Sequence, residues 1–369
     1  MQNRQWRLAR TPPEGWPTDG DFVLGSETAP VPGPGQALTR TLYLSLDPYQ
    51  WGRRRGGVEQ PGDICHGRTV SEVIHSRNDS FAEGDFIFNT NGWQEYGLTG
   101  EGISTFNYMV PRTLNPKLAP LSTAIGVLGM LGLTAWSGTV VQCKPRAGET
   151  LVVSAASGGV GQVVGQIGKL LGCRVVGIAG VSKKCDYVTH DLGLDACVSH
   201  LSDDLPSDLA AACPDGIDIY FENVGGPVFE AVAPLLNASS RISVCGMISQ
   251  YGATDGRDSR AIWDDVLADA GGSGKVTVHD LFVGKFVADH QSSFLAQMGE
   301  WVADGRVKYR EHLSDGLLNT PTAFSAMLRG GNFGKALVAV GADPTLDEAT
   351  RARRAAGNTL AAADGTAAR

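Results

Sequence analysis

The residues with the plainest chemical use lie between Glu149 and Gly165. Leu151, Val152 and Val153 form a buried-strand pattern that runs through small residues into Ser157, Gly158, Gly159, Val160 and Gly161. An apolar helical spacing follows at Val163, Val164, Ile167, Leu170 and Leu171. Strand, glycine turn and helix together present a helix N-terminus to a dinucleotide pyrophosphate. Glycine suits the turn because the backbone must bend tightly and then approach the phosphates with no side chain between. The pattern, Ala155-x-x-Gly158-x-x-Gly161, is displaced from the usual GxGxxG, so the flanking strand and helix carry the reading.

A second strand pattern, Arg174–Gly180, follows. An NAD site places a carboxylate near the end of that strand, about 20 residues past the glycines, for the ribose 2′-hydroxyl. None stands there: Glu149 precedes the first strand and Asp186 lies beyond the turn. The turn holds Ser182, Lys183 and Lys184 instead. A cation without a carboxylate suits a 2′-phosphate and favours NADP(H). The alternative is that these lysines only solvate a helix start.

The elements that must position this turn are written across the whole chain. Its 369 residues predict about two domains. A hydrophobic share of 42% and a charged share of 19% belong to a soluble globular protein. A net charge of -8 argues against a nucleic-acid partner. The N-terminal stretch is polar, without signal-peptide layout. The seven cysteines are odd in number and form no CxxC pair, which fits reduced thiols in the cytoplasm. Residues 118–143 carry no charge after Lys117 until Lys144, but their Pro, Ser, Thr, Gln and Gly content reads as buried helix, not as a membrane span.

Residues 1–110 alternate Pro/Gly-rich turns with short strand patterns, as in a small β-barrel. The segment Leu46–Gly57 reads as a loop, with Arg53, Arg54 and Arg55 mostly solvated. From 149 strands are expected near 149–156, 174–180, 196–199, 216–222 and 241–246. Helices are expected near 160–171, 183–192, 203–213 and 226–237. This rhythm predicts a parallel sheet covered on both faces. Residues 252–275 read as a loop with one helical turn, followed by a last strand from Lys275 and a helix at 290–304. Residues 306–341 have strand character, and the Ala/Arg-rich tail from 342 reads as frayed.

Several motifs occur together and in order: Tyr43-Leu-Ser-Leu-Asp-Pro-Tyr49, Gly92-Trp-Gln-Glu-Tyr96, Leu128-Gly-Met-Leu-Gly-Leu-Thr-Ala-Trp136, Ala155–Gly161, Phe221-Glu-Asn-Val-Gly-Gly226, Gly246-Met-Ile-Ser-Gln-Tyr251 and Gly331-Asn-Phe-Gly-Lys-Ala-Leu-Val338. The chain resembles the medium-chain dehydrogenase/reductase superfamily over residues 1 to about 341. Within it, the chain is similar to the zinc-independent double-bond reductases: leukotriene B4 12-hydroxydehydrogenase/prostaglandin reductases, plant alkenal reductases and bacterial curcumin-reductase-like enzymes. Zinc-dependent relatives need thiolate, imidazole and carboxylate ligands around one open position. Here the strand-end ligand position reads Ser45-Leu46-Asp47, with no cysteine, and the relatives' Gly-His-Glu reads His66-Gly67-Arg68. No metal is expected.

The resemblance implies a Rossmann doubly wound parallel sheet plus a GroES-like β-barrel domain. It places the GroES-like part at 1–122 and 306–341 and the NADP-binding Rossmann part at 123–305, with 342–369 as a disordered tail. The active site is expected in the cleft between the domains. The implied activity is NADPH-dependent, metal-free hydride transfer to the β-carbon of an α,β-unsaturated ketone or aldehyde. Negative charge then develops on the carbonyl oxygen, and a proton must reach the α-carbon. Tyr251 is the first candidate for that chemistry, as acid or as orienter of the ribose, the alternative being that it only closes its loop; Tyr49 is expected either to face the pocket or to serve as ordinary aromatic packing. Met130, Thr134, Asn223 and Asn332 match positions beside the nicotinamide and ribose, and Lys184, with Ser182, matches the 2′-phosphate position. His200 stands where the family has a tyrosine, Gly252 where it has an asparagine, and Gln50-Trp51 where Met-Arg is common. A homodimer acting on a small molecule is implied. The alternatives are a quinone oxidoreductase, a carbonyl reductase, or an NADPH-binding sensor.

Overall fold

The computed structural model describes residues 1–105, 108–254, 256–272 and 274–350. They gather into two compact units. One comprises Met1–Gly129 with the return segment from Glu311; the other is Met130–Arg310.

The first unit opens with an antiparallel ribbon of β1 (Gln2–Leu8) and β2 (Phe22–Thr28). Its hub is β3 (Gln36–Ser45), followed by α1 (Tyr49–Arg55), β4 (Thr69–Ser76), β5 (Phe86–Asn89), β6 (Tyr96–Gly100) and β7 (Arg112–Leu114). The segment expected as a loop after β3 is thus a two-turn helix. Turn residues at Pro48 and Gly52 hide it, yet Trp51 and Arg54, three apart, are both buried. The solvated-arginine expectation fails at the same place. Arg54 is fully buried, with its guanidinium 4.3 Å from the Trp93 ring centre and Nε 3.1 Å from Glu59 Oε2.

The second unit runs α2 (Met130–Trp136), a wider π-helical stretch at Ser137–Cys143, β8 (Thr150–Ser154), α3 (Gly161–Leu170), β9 (Arg174–Ala179), α4 (Ser182–Asp186) and β10 (Ala196–Ser199). It continues α5 (Leu205–Ala212), β11 (Ile217–Glu222), α6 (Gly226–Val232), β12 (Leu236–Val244), α7 (Ser259–Asp269), β13 (Thr277–Asp280) and α8 (Val287–Ala303). The sheet order is β10-β9-β8-β11-β12-β13, every pair parallel. This is the doubly wound order, with its switch point between β8 and β11. Alternation along the strands divides the core. Val152, Tyr220 and Ile242 pack with residues of α5, α6 and α7, among them Trp263, whose ring stacks 4.1 Å from that of Phe229. Leu151 lies on the other face, beside Gly168 of α3. The three-turn α7 replaces the loop expected at 252–275. Its signals are an Asp258 N-cap, accepting from Arg260 N and Ala261 N, and buried Trp263 and Leu267 four apart.

The chain then returns to the first unit through β14 (Glu311–Asp315), α9 (Thr320–Leu328) and β15 (Lys335–Ala339). The helix α9 interrupts what reads as strand in the sequence. The sheet runs β14-β15-β3-β4-β5-β7, with β6 also on β3. The units divide at 129/130 and 310/311, against 122/123 and 305/306 expected. Leu121, Ala124 and Ile125 are buried with Leu42, Val70 and Leu337 of the first unit. Residues 308–310 belong to the second because two glutamines of α3 hold them. Gln166 exchanges 2.8 Å bonds with the backbone of Lys308, and Gln162 accepts from Arg310 N at 2.9 Å. Beyond 341 the expected fraying does not begin at once, since buried Asp343 accepts the Tyr43 hydroxyl at 2.7 Å. Residues 351–369 of that expectation lie outside the described residues.

Candidate cofactor and active site

In the second unit the predicted binding residues meet at the carboxyl ends of the parallel strands. After β8 the chain turns through Ala155, which holds a left-handed φ of 50°, and Gly158 N donates to Ala155 O at 2.8 Å. A Cβ on Gly161 would lie 2.3 Å from Ala155 O, so only glycine lets α3 start this close to the strand. Ser157 is buried, and Gly158, Gly159 and Val160 are half-buried along the turn.

The end of β9 lies beside the end of β10. His200 N donates to Ala179 O at 2.8 Å, and Ser199 Oγ donates to Gly180 O at 2.7 Å. A Cβ on Gly180 would sit 3.3 Å from His200 Nε2 and 4.0 Å from Lys184 Cδ. Lys184 is half-buried, and burial lowers its pKa. Burial lowers the His200 pKa as well, with Lys184 adding to the effect. Ser182 is exposed at the start of α4. The donors here are an ammonium, an imidazole and a hydroxyl, which fits a phosphate better than a ribose hydroxyl.

Beyond the switch point, Glu222 ends β11 fully buried and organises the next loop. Its Oε1 accepts from Val224 N (2.7 Å), Gly225 N (3.0 Å) and Tyr220 Oη (2.9 Å), and its Oε2 from Trp263 Nε1 (3.1 Å). Burial pushes the Glu222 pKa up against these donors. Asn223 is fixed to the neighbouring strand, its Nδ2 donating to Ser154 O at 2.8 Å. After β12 the chain folds back so that the Tyr251 hydroxyl lies over Gly246, 2.9 Å from where a Cβ would stand. Burial, with Cys245 adding, pushes the Tyr251 pKa up to about 12, so the phenol stays protonated and can donate. Met130 and Thr134 sit on α2, half-buried and buried respectively. Glu222 escaped sequence reasoning; an acid closing the Ile219-Tyr220-Phe221 run was its only signal.

The first unit gathers its own polar cluster where β3 ends and β15 begins. Asp47 is buried, with Lys335 Nζ at 2.8 Å, Ser45 Oγ at 2.6 Å and the Arg68 guanidinium at 3.5 Å. Burial alone would raise the Asp47 pKa, but Lys335 and Arg68 hold it below the usual carboxylate value. The strand-end position that bears a ligand in zinc enzymes is therefore committed to a buried ion pair. Tyr49 opens α1, and its Oη lies 2.7 Å from His66 Nε2. Asn332 precedes β15 and donates from Nδ2 to Gly334 O at 2.6 Å. His66 and Lys335 went unnoticed as site residues, since a lone histidine and a lysine inside a strand carry no spacing signal.

No helix among the described residues is long and apolar enough to cross a membrane. Residues 4–105 match the family described as the N-terminal domain of oxidoreductase, and residues 159–266 match that described as zinc-binding dehydrogenase. The NADPH-dependent curcumin reductase of Escherichia coli (strain K12) is 42% identical, over 93% of this chain and 98% of the relative. The 2-alkenal reductase (NADP(+)-dependent) of Nicotiana tabacum is 36% identical, over 88% of this chain and 94% of the relative. The crystal structure of CurA from Vibrio vulnificus in complex with NADPH superposes with a TM-score of 0.83 at 41% identity, covering 92% of this chain and 100% of CurA. A Rossmann sheet with a GroES-like companion, and identity of this extent along both, make this chain a member of the medium-chain dehydrogenase/reductase superfamily, in its double-bond reductase branch.

Proposed function

We propose that this protein is an NADPH-dependent reductase of carbon–carbon double bonds conjugated to a ketone or aldehyde. One conjunction carries the reading: Lys184 and His200 lie together at the end of β9, as a 2′-phosphate site would need, and the relatives named for NADP-dependent reduction match along both units. NADPH would supply a hydride from C4 of its nicotinamide. Ser157, Gly158, Gly159, Val160 and Gly161 would hold the pyrophosphate at the start of α3. Ser182, Lys184 and His200 would hold the 2′-phosphate. Met130, Thr134, Asn223 and Asn332 would orient the nicotinamide and its ribose. Tyr251 and Tyr49 would act on the substrate or on the ribose, each as a neutral donor, where negative charge grows on the carbonyl oxygen. No step requires a metal, because Asp47 is already paired with Lys335 and Arg68. A homodimer in the cytoplasm is the assembly and location that family likeness and reduced cysteines favour.

The test is NADPH consumption at 340 nm with an enone, an enal, a quinone and a saturated ketone, with and without EDTA, and again with NADH. EDTA-insensitive conversion of the enone to the saturated ketone, with NADPH preferred, is expected. Turnover confined to the quinone or to the saturated ketone overturns the reading. Light scattering of the eluted protein decides monomer from dimer.

A further inference from the structure

Half-buried Tyr49 and buried His66 form a pair whose histidine has little freedom. The rings meet at 62° with centres 5.9 Å apart, and the hydroxyl–imidazole distance is 2.7 Å. His66 is clamped along its backbone. Its N–H donates to Glu59 Oε2 at 3.0 Å, while its carbonyl accepts from Gln50 Nε2 at 3.2 Å and Arg54 at 3.3 Å. Buried Arg54 in turn holds Glu59, so a fully enclosed ion pair aims the imidazole at the phenol. The Arg68 guanidinium stands 4.9 Å from the Tyr49 ring centre.

The protonation states follow from what faces the pair. His66 is buried, and burial with Arg68, Arg53 and Arg54 disfavours an imidazolium, while Asp47 pulls the other way; its pKa is well below the ordinary value. Burial pushes the Tyr49 pKa well above 10, with Asp47 and Tyr108 adding and Arg68 and Arg53 opposing. Both partners are therefore neutral at neutral pH. The direction of the 2.7 Å bond follows the tautomer: with its hydrogen on Nε2 the imidazole donates to Tyr49 Oη and turns the phenolic hydrogen outward, and with it on Nδ1 the ring accepts instead.

We propose that His66 is a positioning residue that, with Arg68, makes Tyr49 the proton donor to the α-carbon. The proposal rests on the enone-reductase reading. Once the β-carbon has received its hydride, the substrate is an enolate. The Tyr49 O–H bond breaks, a C–H bond forms at the α-carbon, and the enolate oxygen's electron pair restores the carbonyl. The phenolate left behind keeps the hydrogen bond from His66 Nε2–H and lies beside the Arg68 charge. Water reprotonates it as product leaves. Arg68 and His66 thus stabilise the charge that Tyr49 acquires only after transfer.

The test compares wild type, Y49F, H66F, H66Q and the double variant Y49F/H66F on an enone. Losing a positioned proton donor costs about 100-fold or more in kcat, expected for Y49F. H66F is expected to lose at least tenfold in kcat and to show a larger solvent isotope effect, with NADPH affinity by fluorescence titration unchanged. H66Q, whose amide N–H can reach the same oxygen, should recover most of the loss; a melting curve for each variant separates folding defects. The double variant should be no slower than Y49F, because the two side chains act as one unit. Wild-type kcat and isotope effect in H66F, or losses that multiply in the double variant, overturn the pairing while leaving enone reduction standing. A wild-type enzyme that turns over no enone overturns both.

Discussion

The two units hold their chemistry by different means. In the second, main-chain groups do most of the holding: Gly161 starts α3 against Ala155 O, His200 N donates to Ala179 O, and the carbonyls of Gly180 and Ser154 accept from Ser199 Oγ and Asn223 Nδ2, with the buried Glu222 carboxylate the exception. In the first, buried side chains do it: Asp47 with Lys335 and Arg68, Arg54 with Glu59, Tyr49 with His66. A backbone cradle tolerates exchange of most side chains but not of its glycine. A side-chain network tolerates backbone variation but fails when one charge loses its partner.

The sharpest break is at Asp47. K335M leaves a buried carboxylate short of its nearest cation and should cost about 3–5 kcal/mol of stability by denaturant unfolding. The double variant D47L/K335M should recover only part of that loss, since buried Arg68 then lacks the carboxylate it faces. In the second unit, G161A forces a Cβ onto a carbonyl that cannot move without displacing β8. It should cost up to about 3 kcal/mol and weaken NADPH binding, and no side-chain change elsewhere should rescue it. With Lys184 on the 2′-phosphate as proposed, K184A should weaken NADPH by about 1.5–3 kcal/mol in titration calorimetry. NADH affinity should stay unchanged. Equal losses for both cofactors would move the 2′-phosphate away from Lys184.

The smallest effect concerns pH. His66 has a depressed pKa when folded, so the unfolded chain binds more protons near its ordinary value of about 6.5. Stability from this residue is present above that value and is lost as pH falls below it toward the depressed folded pKa. H66F should flatten that part of the acid limb in pH-dependent melting. An unchanged limb would show that His66 titrates normally despite its arginine neighbours.

Legibility in the sequence follows the same division. The β8 turn, the second strand without a carboxylate and the alternating strands of the parallel sheet are local patterns, so they were readable. The helix α1 was not, because Pro48 and Gly52 argue for a turn and only tertiary burial of Trp51 and Arg54 argues otherwise. Arg54 belongs to a run of three arginines, and a charge run reads as solvated until the Trp93 and Phe324 rings that enclose its guanidinium are known. The Tyr49–His66 pair lies 17 residues apart on two elements with no shared period. For α7 the local signal is short, an N-cap aspartate and two apolar residues one turn apart in a polar stretch.

The return of β15 to β3 has a consequence for the newborn chain. Leu337 pairs with Ser45, so one edge of the hub strand waits for a partner about 290 residues downstream. At ribosomal speeds of about 5–20 residues per second, that wait lasts about 15–60 s. The second unit is contiguous in sequence and can complete itself within the interval. The first cannot, and it exposes an apolar strand edge until almost the last residue of its fold has emerged. Slow translation of the middle of the chain would lengthen that exposure rather than relieve it.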